Sequence, residues 1–352
     1  MKILFVSQLA GIVGGGSRIA KRNLTVLQKI FLKNNVEEYC ISVPNESVLF
    51  RVYNRCLKHY TNGLGQSDVD KIVRIANKYD YIWVDGSCFG SLCKILKEKN
   101  YTGRIFCFFH NIEHEFLIRP WWQRALYFLY KRPVLEAERT AARYADFVVC
   151  LTSRDRQRIK ELYGGANTVI LPSSLNDDFQ AYAAKAVNGG IPNLLFVGSN
   201  FFANVRGISW FIEKVLPYVN AKLVIVGSGM DALPYENNDK LEIHGFVDDI
   251  APYYQNADCV IAPIFEGSGM KTKTTEALMW GKYIIGTEEA FCGFDMTEDE
   301  GISCQDVESF IKAINDFKNS NRMNFNSNSR NLFLEKYSIE SSVRIIRNIL
   351  KR

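Results

Sequence analysis

A chain of 352 residues, 47% apolar and 23% charged, can fill two cores and is too apolar for extended disorder. Its nine cysteines form no CxxC pair and its four histidines show no ligand spacing, which excludes a disulfide framework and a His- or Cys-built metal centre. The net charge of +5 is uneven: residues 1–180 hold 26 Lys+Arg against 17 Asp+Glu (+9), residues 181–352 hold 17 against 21 (−4), so the first half is expected to face something anionic.

The opening "MKILFVSQLAGIVGGG" has a lysine and apolar residues, but Ser7 and Gln8 interrupt the run and no small-x-small site follows. Lys2–Val6 is therefore read as a buried strand and not as a leader. "GIVGGGSRIAKRN", Gly11–Asn23, is a glycine loop that opens a helix over Ser17–Lys33. Further apolar runs at Tyr39–Val43, Tyr81–Val84, Ile105–Phe109, Phe147–Leu151 and Val169–Leu171 alternate with helical patterns such as Asp68–Lys78 and Arg154–Leu162, the latter capped by Ser153. Runs that are continuous rather than alternating signal strands covered on both faces, as in parallel sheets.

His110 stands at the carboxyl end of one such strand, with Asn111 and Glu113 just beyond it, whereas His59, His114 and His244 are read as non-catalytic. "IRPWWQRALYFLYKRP", Ile118–Pro133, interleaves Trp121, Trp122, Tyr127, Phe128 and Tyr130 with four basic residues. That stripe suits either core packing or contact with an anionic membrane surface. No run approaches the ~18 consecutive apolar residues of a spanning helix, so a soluble or peripheral protein is expected.

"AYAAKAVNGGIPN", Ala181–Asn193, reads as a linker. After it the alternation restarts with strands at Leu194–Val197, Leu223–Val226, Leu241–His244, Cys259–Ile264 and Tyr283–Gly286, helices at Val205–Val219, Ile250–Asn256 and about Met270–Trp280, and a last helix at Glu340–Leu350. Two successive alternations imply two doubly wound α/β domains. "VIVGSGMDA", Val224–Ala232, imitates a dinucleotide fingerprint, but a proline and no helical pattern follow, so NAD binding is rejected.

The densest signal is "FEGSGMKTKTTEAL", Phe265–Leu278, where a strand hands over to a helix. Gly267 and Gly269, around Ser268, let the backbone turn and approach a ligand, and the unpaired NH groups at the helix start form an anion site. Lys271 and Lys273, beside Met270, add charge, and Glu276 lies one turn on, where a carboxylate can accept from two vicinal hydroxyls. Anion plus vicinal diol describes a nucleoside diphosphate. A glycine turn before a solvated helix face is the structural alternative.

"APIFEGSGMKTKTTEALMWGKYIIGT" resembles the donor-binding segment of retaining, sugar-nucleotide-dependent glycosyltransferases of family 4 (group 1). The likeness extends in order through "FFHNIEHEF", "YADFVVCLTSRDRQRI", "LFVGSNFFANVRGISWFIEKVLP", "KLVIVGSG" and "LEIHGFVDDIAPYYQNADCVIAP". It implies an α/β protein of GT-B architecture: two Rossmann-like domains facing a central cleft, residues 1–185 for the acceptor, 193–335 for the nucleotide sugar, and a C-terminal helix, 336–352, that crosses back to the first domain. His110 and Glu266 are implied to face the donor sugar, Gly15 and Gly16 the cleft, and Gly198, Phe246 and Val247 the nucleotide. Asp248 or Asp249 would cap the next helix. Glu266 and Glu276 are separated by nine residues rather than the family's seven, and Val197-Gly198-Ser199 lacks the family's arginine, with Arg206 several positions on. Neutralisation of the diphosphate thus falls mainly to Lys271, Lys273 and the helix N-terminus.

The resemblance implies transfer of a sugar from a UDP- or GDP-linked donor to a hydroxyl of a glycan or lipid-linked acceptor, with retention, in bacterial surface polysaccharide synthesis. The enzyme would be cytoplasmic, peripheral on the membrane's inner face, with no metal, other cofactor or nucleic acid. A sugar-nucleotide epimerase and a non-catalytic nucleotide-binding subunit are the alternatives.

Overall fold

The computed structural model describes residues 1–8, 15–41, 47–61, 63–116, 124–164, 167–184, 190–267, 269–320 and 324–351, with backbone only at 15–17, 48, 51, 116 and 124–130. Two compact units divide the chain: Met1–Pro172 with Ser342–Arg352, and Ser173–Ser341.

Six strands, β1 (Ile3–Ser7), β2 (Val36–Cys40), β3 (Tyr81–Asp85), β4 (Arg104–Phe109), β5 (Phe147–Cys150) and β6 (Thr168–Ile170), form the first sheet. They are all parallel, in the order β2-β1-β3-β4-β5-β6. β1 and β3 are buried along their whole length because helices cover both faces. One face carries Leu4, Val6, Ile82, Val84, Ile105 and Cys107 in the main cluster. The other stacks Trp83 on Phe106, with centroids 5.7 Å apart, and Phe106 on Phe147 at 4.8 Å. β2 lies three residues earlier than its apolar run suggested, since it is an edge strand whose Glu37 and Glu38 face solvent. The cap of the helix Ser153–Tyr163 is Thr152 and not Ser153: Thr152 is extended and its hydroxyl accepts from the Asp155 N–H in a capping box.

The second sheet holds β7 (Asn193–Val197), β8 (Lys222–Val226), β9 (Leu241–His244), β10 (Cys259–Ala262), β11 (Tyr283–Gly286) and β12 (Gly301–Ser303). Their order is β12-β11-β10-β7-β8-β9, again parallel throughout. Strand order therefore reverses between β7 and β10, the point where open α/β sheets place ligands beyond their carboxyl ends. β12, three residues at an edge, had too short a run to be read from sequence. After β8 the chain makes only a 3₁₀ turn, Met230–Ala232, before β9, so the glycines at 227 and 229 open no long helix.

The chain enters this unit before the apparent linker. Leu175 bridges Ser338, and Phe179 and Tyr182 pack on Trp280 and Phe325. Apolar contact, invisible to a composition-based linker reading, ties this segment to the second core. The final helix, Ile339–Leu350, passes from the second unit to the first, where Arg347 donates to the Lys29 carbonyl.

Candidate functional site

At the carboxyl edge of the second sheet the segment after β10 turns back on itself. Gly267 has φ +135° and Gly269 φ +66°, values that a side chain would strain. The helix Thr272–Met279 follows, and the side chain of its cap residue, Lys271, makes no capping hydrogen bond. Its first amides are thus left to whatever sits in front of them. The Thr274 hydroxyl holds the helix down by donating to the Ala290 carbonyl at 2.8 Å, and the Thr287 hydroxyl donates to the Ile264 carbonyl.

The two lysines behave differently. Lys271 folds over the loop, donating to the Gly269 carbonyl at 2.9 Å and pairing with Glu289 at 2.7 Å. Lys273 points inward. Its Nζ donates to Asn204 Oδ1 at 2.7 Å and lies 4.1 Å from the Phe196 ring centroid on β7. Gly198 follows that strand, and a Cβ there would come within 3.1 Å of the same Nζ. Burial pulls the Lys273 amino group down to about 7, with nearby Glu276 opposing and Lys271 reinforcing the fall. The helix thus carries a cation that is only half charged near neutrality and poised to gain its proton beside an anion.

Glu276 is half-buried, with Tyr254 donating to its Oε2 at 3.4 Å. Tyr254 is itself fixed by stacking on Trp280 at 5.5 Å. Glu266 pairs with Arg206 at 3.0 Å on the surface, and an exposed pair of this kind contributes little stability. Arg206, separated from the strand end in sequence, is therefore brought to the same loop. Phe246, 75% exposed, and half-buried Val247 follow β9, and Asp249 accepts from the Ala251 N–H at 2.9 Å at the start of the next helix. Met270 is buried, its sulfur accepting from the Ser173 N–H. Ser268 lies outside the described residues.

In the first unit, His110 follows β4 and its Nε2 lies 3.0 Å from Asp85 Oδ2 at the end of β3. Just beyond it a fully buried carboxylate, Glu138, gathers the Ser87 hydroxyl, the Glu113 N–H, His114 Nδ1 and the Tyr163 hydroxyl, all within 3.0 Å. His114 is consequently a structural histidine, and burial followed by the Glu138 charge raises the Glu113 pKa. Gly15 and Gly16 open the helix Gly15–Phe31, and the glycines before them lie outside the described residues, as do Trp121 and Trp122. Sequence reasoning missed Asp85, Asn204 and Arg22. Only the position of Asp85 at a strand's carboxyl end offered a signal. Among the described residues, no group of three His, Cys, Asp or Glu side chains is placed to hold a metal.

Comparison with known structures gives the class. UDP-bound HepE from Anabaena matches with a TM-score of 0.70 at 15% identity over 100% of both chains. A glycosyltransferase from Rickettsia africae matches with 0.63 at 14% identity, over 99% of this chain and 97% of its own. A trehalose-6-phosphate synthase, studied for glycosyl transfer with retention, matches with 0.58 at 11% identity over 100% and 99%. The paired parallel sheets are those of the GT-B fold. Residues 191–319 match the profile of the group 1 glycosyl transferases, and the protein is a glycosyltransferase. No curated protein matches by sequence.

Proposed function

We propose that the protein moves a sugar from a nucleoside diphosphate to a hydroxyl of a lipid-linked or glycan acceptor, with retention. The observation that carries this reading is the single segment 266–276. It joins two positive-φ glycines, an uncapped helix start, a buried lysine and a half-buried glutamate at the switch point of the sheet. Helix amides and Lys273 meet the charge that develops on the leaving diphosphate, with Lys271 beside them, and Glu276 holds the ribose. Phe246 and Val247 border the base. Metal is not assigned a part, because amides and lysines already supply positive charge. The binding of UDP by HepE and the study of retention in the trehalose-6-phosphate synthase support the reading by analogy of fold.

Thermal shifts with UDP, GDP, TDP and their sugars test it. One diphosphate family should stabilise the protein, and Glu276→Ala should weaken that nucleoside diphosphate at least ~10-fold while sparing pyrophosphate. Equal loss for both ligands would remove Glu276 from the ribose. Incubation with donor alone should give slow hydrolysis; an isomerised sugar nucleotide would favour an epimerase.

A membrane-borne acceptor is supported by the helix Val48–Lys58. Leu49 and Leu57 are 84% and 66% exposed, Val52 and Tyr53 are exposed as well, and Arg55 and Lys58 lie in its last turn. Apolar residues in contact with water beside basic ones suit an anionic lipid surface, each basic group contributing about 1 kcal/mol. Leu49→Glu with Leu57→Glu should abolish cosedimentation with vesicles containing phosphatidylglycerol and leave nucleotide binding intact. Unchanged sedimentation would locate membrane contact elsewhere or nowhere. Among the described residues no helix is long and apolar enough to cross a membrane.

A further inference from the structure

The helix Phe202–Lys214 starts without a side-chain cap, although its first turn holds an asparagine. The Asn204 side chain is engaged elsewhere. Its Nδ2 donates to the Ser199 carbonyl at 2.9 Å, and its Oδ1 accepts from Lys273 Nζ at 2.7 Å. A carbonyl can only accept, so the amide NH₂ must face Ser199 and the oxygen is left for the lysine.

The frame around this contact is tight. Gly207, one turn further along the same helix, approaches the segment after β10 so closely that a Cβ would meet the Pro263 carbonyl oxygen at 1.8 Å. Arg206 pairs with Glu266 of that segment at 3.0 Å. The Ser199 carbonyl is fixed as well, since it also accepts from the Phe201 N–H at 2.7 Å. Helix, turn and donor segment therefore hold Asn204 in one place.

The lysine it meets is left incomplete. A protonated amino group has three N–H donors, and the bond to Asn204 is the one hydrogen bond Lys273 makes among the described residues. The Phe196 ring, 4.1 Å from Nζ, covers one side, and Gly198 presents only backbone on another. No carboxylate among the described residues forms an ion pair with it. Two charges act on it from its own segment: Glu276 favours its protonated form and Lys271 opposes it. The helix of Asn204 and the strand of Phe196 add no charge to these. An amino group with unmet donors and no counter-ion is one that an anion completes.

We propose that Asn204 is the positioning residue of Lys273, holding the amino group beside Gly198 at the carboxyl end of β7 so that its remaining N–H donors meet the diphosphate of the donor. The inference rests on the proposed function, in which Lys273 binds that diphosphate. Asn204 acts through the lysine, because its own NH₂ is committed to Ser199.

Selective ¹³Cε labelling of lysine tests the contact without any ligand, with Lys273→Met identifying the signal. In the wild type that signal should titrate at about 7. An amide oxygen favours the charged form, so Asn204→Leu should lower the midpoint and Asn204→Asp should raise it. A merely structural asparagine would not give opposite displacements. Asn204→Leu should also lower kcat at least ~10-fold, because the amino group is no longer held in line. Midpoints that stay in place, or move the same way in both variants, overturn the proposal, as does an unaltered kcat in Asn204→Leu. Should Asn204→Leu fail to fold, the near-isosteric Asn204→Asp decides by its midpoint. A protein that binds no nucleoside diphosphate would sink the proposed function, while the lysine titration would still judge the role of Asn204.

Discussion

Lys273→Met is expected to lower kcat by roughly 10²–10³-fold, the loss typical of removing one preorganised donor to a developing anion, without lowering the melting temperature. The geometry separates the two effects. The Lys273 amino group is buried, bonded to Asn204 Oδ1 and seated over the Phe196 ring, an arrangement that carries a cation at a desolvation cost. Methionine keeps the length and the apolar stem and removes that cost. The sign of the pH dependence follows from an amino group drawn down to about 7. A bound diphosphate favours the protonated lysine, so donor affinity should fall as pH rises through about 7. In Lys273→Met that decline should vanish. Calorimetric titration of the nucleoside diphosphate between about pH 6 and 9, together with initial rates, measures both. Near-normal turnover in the variant would take Lys273 out of the chemistry.

Folding stability should rise from about pH 6.5 to about pH 8. Two buried lysines are responsible. Lys282 has its amino group enclosed by the Ala257 and Asn324 carbonyls at 2.8 and 2.6 Å and by the Tyr182 ring, and burial brings it, like Lys273, to about 7. In the unfolded chain both titrate near ~10.4. Between those values the unfolded state holds protons that the folded state has released. Stability therefore climbs with pH, approaching about 1.4 kcal/mol per pH unit for each lysine. Above about pH 8 the trend reverses. The Cys88, Cys107, Cys150, Cys259 and Cys304 thiols are all pushed up in the fold and keep protons that their unfolded counterparts lose near ~8.5. Urea unfolding between about pH 6.5 and 10 should show a maximum near pH 8, and Lys282→Met should remove at least half of the rise. A flat profile from about pH 6.5 to 8 would mean that neither lysine is desolvated in solution.

Part of the candidate site is legible in the amino-acid sequence. Gly267 and Gly269 can be assigned to a tight turn because glycine adopts positive φ without steric cost, and both do so. Lys273 and Glu276 can be assigned to one helix because the helical pattern runs through them, and both lie on Thr272–Met279. The direction of the Lys273 side chain is not legible. Its partner Asn204 is 69 residues away, and a lysine at a helix start reads as solvated unless the neighbouring strand is known. The same holds for Arg206 and Glu266, 60 residues apart, and for Asp85 and His110, 25 apart on adjacent strands. Thr152 and Ser153 are both plausible caps, and only the extended backbone of Thr152 distinguishes them.

The amino-acid sequence by itself determined the α/β class, the two successive alternations and the glycine–lysine–glutamate segment. These are written in local terms: continuous apolar runs, turn residues and helical spacing. The tertiary structure decided which strands are neighbours, that order reverses between β7 and β10, and which polar groups meet beyond their carboxyl ends. It also decided that one lysine of the segment is half-neutral and that one histidine is held by an aspartate. Parallel crossovers bring together residues that no short window contains, and burial, which sets their protonation, is a property of the assembled layers.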